Sequence, residues 1–270
     1  MTGLATVIGH RGAAAHAPEN TLSSIRTAAG LGATWVEFDV KLTADGRCIV
    51  FHDDMLDRTT DGHGAVAAAT HDEIRRLDAG AWFAPAFAGE RVPSLEAMLS
   101  LALELGLGID IEIKPCPGRE SETARAVMTQ TIAAWPRDRP SPLITSRSDT
   151  CLAIARGEAA EWARGLICLR VPRDWRTRLA ILESRTIVCL HTRLTRRNVA
   201  KMTAAGITVL AFTVNDPQRA AKLFDWGVAS IVSDAPDRIL SGIDGQGSQG
   251  ARRGRGTNAL IREPNDIACP

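Results

Sequence analysis

A repeated alternation of short apolar, β-rich runs with helical stretches constrains this chain more than any other feature. The runs are TVIG, TWVEFDV, LGIDIEIK, PLIT, GLICL, TIVCL, ITVLAF and ASIVS. Between them lie stretches of helical character such as TLSSIRTAAGLG, residues 120–135, LTRRNVAKMTAAG and DPQRAAKLFDWG. Counting the runs gives eight parallel-strand candidates, and eight βα units in 270 residues is the beat of a (β/α)8 TIM barrel. A doubly wound open sheet is the alternative with the same local pattern.

One run breaks the beat. Cys48-Ile-Val-Phe-His52 follows TWVEFDV after only Lys41 to Arg47, an interval holding the hairpin signal Asp45-Gly46, so it is expected to fold back antiparallel. Pairing of residues whose numbers add to about 91 then sets His52 beside Asp39. From 53 to 93 the chain is rich in Gly, Ala, Asp and Thr, with one helical piece around His71 to Leu77; this is expected to be a small insertion capping the barrel mouth. The barrel domain is expected to occupy 1–240. In 241–270 glycine and small polar residues replace the periodic pattern, and a disordered tail is expected, its arginines offset by Asp244, Glu263 and Asp266.

Strand parity sorts the chemistry. In the second run Val36, Phe38 and Val40 share one face while Glu37 and Asp39 share the other; in the third, Ile109, Ile111 and Ile113 alternate with Asp110, Glu112 and Lys114. If the apolar faces meet the helices, two neighbouring strands project acids to one rim. Three oxygen donors without a nearby cysteine suit a hard divalent ion, so Glu37, Asp39 and Glu112 are the expected ligands of Mg²⁺ or Ca²⁺. An ion-pair layer with Lys41 and Lys114 is the bland alternative. Asp110 lies one pleat deeper and is read as a hydrogen-bonded buried polar group.

His10 ends the first run, at the rim where barrel enzymes place their active sites. With His52 it supplies two imidazoles for acid/base displacement at phosphorus, and Arg11 and Lys114 add fixed positive charge for a phosphodiester anion. His16, His63, His71 and His191 have no such company and are read as surface or structural.

The formal net charge of +1 argues against a nucleic-acid partner. No stretch has the length and apolarity of a membrane span or the form of a leader, and the six cysteines are dispersed without a CxxC pair, so a cytoplasmic protein is expected.

The motifs GHRG with APENT, EFDVKLTADG, VFHDD, RTTDGHG, VPSLE, IEIKP and FTVND, in this order from Val7 to Asp237, make the chain resemble the glycerophosphodiester phosphodiesterase family in its bacterial cytosolic branch. The resemblance implies a TIM barrel, a divalent metal on Glu37, Asp39 and Glu112, catalytic His10 and His52, and phosphate contacts from Arg11 and Lys114. It further implies that glycerophosphodiesters are cleaved to sn-glycerol 3-phosphate and an alcohol, and that Glu19 supports the first loop. Two positions depart from the family pattern. Phe212 stands where tryptophan commonly precedes Thr-Val-Asn, and Arg147 where an aromatic residue usually sits between the two serines after PLIT. Phe212 is expected to offer its flat apolar face to the glycerol carbons. A related lipase-type phosphodiesterase and a non-catalytic phosphate sensor are the competing readings; the first lacks an apolar lid in the sequence, the second would have lost a site residue.

Overall fold

The computed structural model describes residues 3–243. Its strands are β1 (Val7–Gly9), β2 (Trp35–Leu42), β3 (Cys48–Val50), β4 (Gly108–Ile113), β5 (Leu143–Ser146), β6 (Ala163–Cys168), β7 (Thr186–Leu190), β8 (Thr208–Phe212) and β9 (Ser230–Ser233). The eight that exclude β3 pair in parallel with their neighbours, and β1 pairs both β9 and β2, which closes the sheet into a barrel. The open-sheet alternative is thereby excluded, since an open sheet has two unpaired edges.

Helices follow the strands and cover the outer face. Val36, Phe38, Val40, Ile109, Ile111 and Ile113 pack there against Ile25, Leu99 and Met128, while Ile187, Val209 and Ile231 do the same on the other half of the barrel. The lower interior is filled by Ile8, Trp35, Leu143, Ile167, Val188, Leu210 and Val232. Apolar residues seal the barrel from below, so Glu37, Asp39 and Glu112 can be reached only from the mouth formed by the strands' C-terminal ends.

Gly108 shows how tightly that floor is packed. It pairs with Trp35 across the ladder, and a Cβ at this position would stand 2.2 Å from Trp35 Cε2. We expect Gly108→Ala to destabilise the fold by about 1–3 kcal/mol through overpacking. Thermal unfolding checks this, and an unchanged Tm would show that the indole has room to move.

β3 pairs antiparallel with β2 as expected, with a different register. Val40 lies opposite Val50, Lys41 opposite Ile49 and Leu42 opposite Cys48, so paired numbers add to 90 rather than 91. The cause is a three-residue turn, Ala44-Asp45-Gly46, closed by the Thr43 N–H donating to Arg47 O at 3.0 Å and made possible by the positive φ of 73° at Gly46. Asp39 therefore lies opposite Phe51, whose N–H donates to Asp39 O at 2.9 Å. His52 reaches the site because the regular strand ends at Val50, not because it is cross-strand partner to Asp39.

Within 53–93, Leu56, Val66, Ile74, Ala79 and Val92 form a small cluster with Ile49 and Phe51, which ties the segment to the hairpin. Its helix is shorter than expected, His71–Ile74, capped by Thr70 and Glu73. Residues 236–243 are helical and Ile243 packs on the outer core, so periodic structure runs past 240; the remainder of the expected disordered tail lies outside the described residues.

Candidate active site

The geometry starts from the first loop. After β1 the chain turns at Arg11 and Gly12, with φ of 50° and 89°, and again at Asn20 with φ of 59°. Left-handed backbone at two non-glycine residues is strain that persists only where neighbours hold it. Here they do. The Arg11 N–H donates to Glu37 Oε2 at 2.9 Å, and Asn20 grips Asp39 twice, its Nδ2 donating to Oδ2 at 2.9 Å while its Oδ1 accepts from the Asp39 N–H at 3.2 Å. Gly12 is obligatory: a Cβ there would lie 2.4 Å from Ser24 Oγ, and that hydroxyl already receives the Ala13 N–H.

Glu37, Asp39 and Glu112, from neighbouring β2 and β4, each offer an oxygen within 4.8 Å of the others. Burial and its anionic neighbours Asp39, Glu112 and Asp110 push the Glu37 carboxyl well above its ordinary value. Burial, with Asp39 beside it, likewise raises Glu112 to about 7, against the pull of Lys114. At Asp39 burial also works upward, but Lys114 and Arg11 win and hold it far below the usual carboxylate range. Lys114 Nζ stands 3.2 Å from Asp39 and 3.4 Å from Glu112. Three crowded oxygens, two of them on carboxyls that burial and mutual repulsion push upward, fit a hard divalent cation in donor type. Asp110 is the buried hydrogen-bonded group expected, accepting from Thr145 Oγ1 at 2.7 Å, and burial raises it to about 8.

Both histidines carry an aspartate at their backs. His10 Nδ1 donates to Asp234 Oδ1 at 2.6 Å, leaving Nε2 4.0 Å from Glu37 Oε2. Asp234 is itself fixed by Asn215 Nδ2 at 2.7 Å. His52 Nδ1 donates to Asp53. Burial would raise Asp53, but Arg58 and His52 pull it down to about 2, so it is ionised and the ring proton sits on Nδ1. Burial also lowers the His52 imidazolium, Asp39 opposing and Arg11 and Lys114 adding to it. In each case the aspartate accepts from Nδ1 and so selects the tautomer whose Nε2 is the acceptor nitrogen.

Arg58 joins the two sides. Its guanidinium donates to both oxygens of Glu19 at 2.8 Å and to Asp53 Oδ2 at 2.6 Å, while Glu19 also receives Arg11 Nη1 at 2.6 Å. Arg11 Nε lies 3.2 Å from Asp39 Oδ2, yet it is buried without hydrogen-bond geometry to any described acceptor.

The structure thus brings together His10, Arg11, Glu19, Glu37, Asp39, His52, Glu112 and Lys114. Phe212 lines the inner chamber with His10, Glu37 and Glu112. His52, Glu112 and Lys114 also border an open cleft of about 640 Å³ that is lined as well by Arg147, Ser148, Asp54 and Met55. His16 and His191 are structural, bonded to Asp237 and to Arg219. Sequence reading missed Asn20, Asp53, Arg58, Asn215 and Asp234. Asp53 adjoins His52 and Asp234 directly follows β9, so the strand-end rule that found His10 would have found Asp234 too.

The sequence profile described as the Glycerophosphoryl diester phosphodiesterase family matches residues 10–238. A glycerophosphodiester phosphodiesterase of Caldanaerobacter subterraneus subsp. tengcongensis is 31% identical over 241 residues, 87% of this chain and 96% of the relative. A phosphodiesterase of Oleispira antarctica, solved in complex with the product sn-glycerol-3-phosphate, superposes with a TM-score of 0.87 at 38% identity, covering 89% of this chain and 97% of the other. A glycerophosphodiester phosphodiesterase from Agrobacterium tumefaciens gives 0.73 at 28% identity, covering 88% and 100%.

Proposed function

Because the chain belongs to the glycerophosphoryl diester phosphodiesterase family, we propose that it cleaves glycerophosphodiesters to sn-glycerol 3-phosphate and an alcohol by paired histidine acid/base catalysis at a divalent-metal site. The observation that carries this is the pair of histidines, each oriented by its own aspartate, on either side of three convergent carboxylates.

Glu37, Asp39 and Glu112 would hold the ion, Mg²⁺ or Ca²⁺, and when bound it would supply charge neutralisation for a phosphodiester anion. Arg11, whose Nε lacks a hydrogen-bond partner among the described residues, and Lys114 contact the phosphate oxygens. The glycerol end lies beside Phe212 and His10, and the leaving alcohol occupies the open cleft beside His52. His10 Nε2 then accepts the proton of the attacking hydroxyl, whether of water or of the substrate's own glycerol; in the second case a cyclic phosphate forms first and is opened by water to sn-glycerol 3-phosphate. A new P–O bond forms as the P–O bond to the alcohol breaks, and His52 Nε2 donates a proton to that departing oxygen. Glu19, clamped between Arg11 and Arg58, holds the phosphate-binding loop in place.

No helix among the described residues is long and apolar enough to cross a membrane. The five cysteines among the described residues are buried free thiols, which supports placement in a reducing compartment such as the cytoplasm. Release of sn-glycerol 3-phosphate from glycerophosphocholine and glycerophosphoglycerol, with Mg²⁺ or Ca²⁺ added, tests the activity. Binding without release would support the phosphate sensor instead.

The orientation carries its own prediction. Phe212→Trp keeps the apolar face and adds an indole N–H, so KM should fall about two- to tenfold, the worth of one hydrogen bond, by a similar factor for substrates sharing the glycerol. A change in the ranking of alcohols would place Phe212 against the leaving group and reverse the substrate.

A further inference from the structure

The open cleft beside His52 has an uneven charge balance. Asp53 is bonded to His52 and Arg58, Asp54 accepts from buried Lys41 at 2.6 Å, and Glu112 faces Lys114 at 3.4 Å. Arg147 is the one charged residue lining the cleft that has neither an ion pair nor a side-chain hydrogen bond among the described residues.

Its backbone is held on both sides. Ser146 Oγ donates to Ile113 O at 2.7 Å and accepts the Ser148 N–H at 3.1 Å, and Ser148 caps the helix Asp149–Glu158. An exposed arginine on a fixed stem therefore lines the same cleft as His52. The lining contains no Phe, Tyr or Trp, whereas a quaternary ammonium such as choline is recognised by the faces of such rings and repelled by a guanidinium.

Resting on the phosphodiesterase reading above, we infer that Arg147 forms a head-group subsite and that the preferred leaving alcohols carry an anionic group of their own, a second phosphate ester or a carboxylate. The guanidinium pairs with that group while His52 protonates the oxygen that leaves. A charge-assisted contact of this kind is worth about ten- to hundredfold in kcat/KM, and rising salt weakens it because the pair is near solvent.

The test compares kcat/KM for four glycerophosphodiesters in the full chain and in Arg147→Gln. Bis(glycerophospho)glycerol carries the second phosphate and the glycerophosphodiester of glycolate the carboxylate, without the ammonium that would neutralise it; glycerophosphoglycerol is the uncharged control and glycerophosphocholine the cationic one. The expected result is at least about a tenfold preference for one or both anionic alcohols over glycerophosphoglycerol. That ratio should collapse toward one in Arg147→Gln and partly return in Arg147→Lys. Which anionic substrate leads tells phosphate from carboxylate. Equal rates in the unmodified enzyme, or a preference that survives Arg147→Gln, overturns the subsite. Failure of all four substrates to turn over would instead sink the activity itself, and equilibrium binding of the same compounds to both proteins would then decide whether Arg147 selects anions.

Discussion

His10→Ala and His52→Ala will each lower kcat by about 10²- to 10⁴-fold, the usual cost of removing a positioned acid or base, while KM stays within a few-fold. The loss belongs to kcat because neither ring is assigned a contact with the resting phosphate; Arg11 and Lys114 are. The two variants should differ on a substrate whose alcohol is p-nitrophenol. A phenolate of low pKa leaves without a proton, so the defect of His52→Ala should shrink strongly on glycerophospho-p-nitrophenol. That of His10→Ala should persist, since the nucleophile still has to lose its proton. A His52→Ala enzyme with near-normal kcat on alkyl substrates would remove His52 from the mechanism. If instead His10→Ala is the variant rescued by p-nitrophenol, the roles are exchanged and the glycerol sits on the His52 side.

Chelation should be equally damaging. Treatment with EDTA is expected to abolish turnover, and Mg²⁺ or Ca²⁺ to restore it, while Glu112→Gln should weaken metal binding by roughly 10²-fold or more, beyond what loss of a mere supporting partner costs. Proton linkage gives this prediction a sign. In the metal-free fold burial keeps Glu37 protonated above its ordinary range and Glu112 up to about 7. The folded state therefore holds protons that the unfolded chain releases at ordinary carboxylate pH, and stability falls as pH rises from about 4.5 toward 7. Metal displaces those protons, so affinity should drop as pH falls below about 7. At pH 8 without metal, Glu112→Gln should melt above the unmodified protein, because one buried negative charge has gone. With metal at 100 times its Kd the order should reverse, the unmodified protein gaining about 2.7 kcal/mol. Calorimetric melts at pH 8 with and without Mg²⁺ or Ca²⁺ measure both. A melting temperature indifferent to either ion would leave the three carboxylates as an ion-pair layer around Lys114.

Much of this was written in local sequence. Alternation alone set Val36, Phe38 and Val40 against the helices and turned Glu37 and Asp39 inward, because side-chain direction in a strand has a period of two whatever surrounds it. Eight such runs with helices between them pointed to a barrel or an open sheet; the pairing of β1 with both β9 and β2 decided for the barrel, and the barrel fixed the rim on which strand-end residues meet. Periodicity could not give the register of β3, which depends on how many residues the turn at Gly46 consumes. Nor could it show that His10 leans on Asp234, 224 residues away along the chain, or that Arg58 ties Asp53 to Glu19. Those contacts join segments with no local pattern in common; they exist because closing the barrel lays β9 beside β1 and because the packed segment from 53 to 93 brings Arg58 back over the first loop. The sequence determined which residue types face the mouth, and the tertiary structure decided their partners, since burial and charge pairing are properties of neighbours in space.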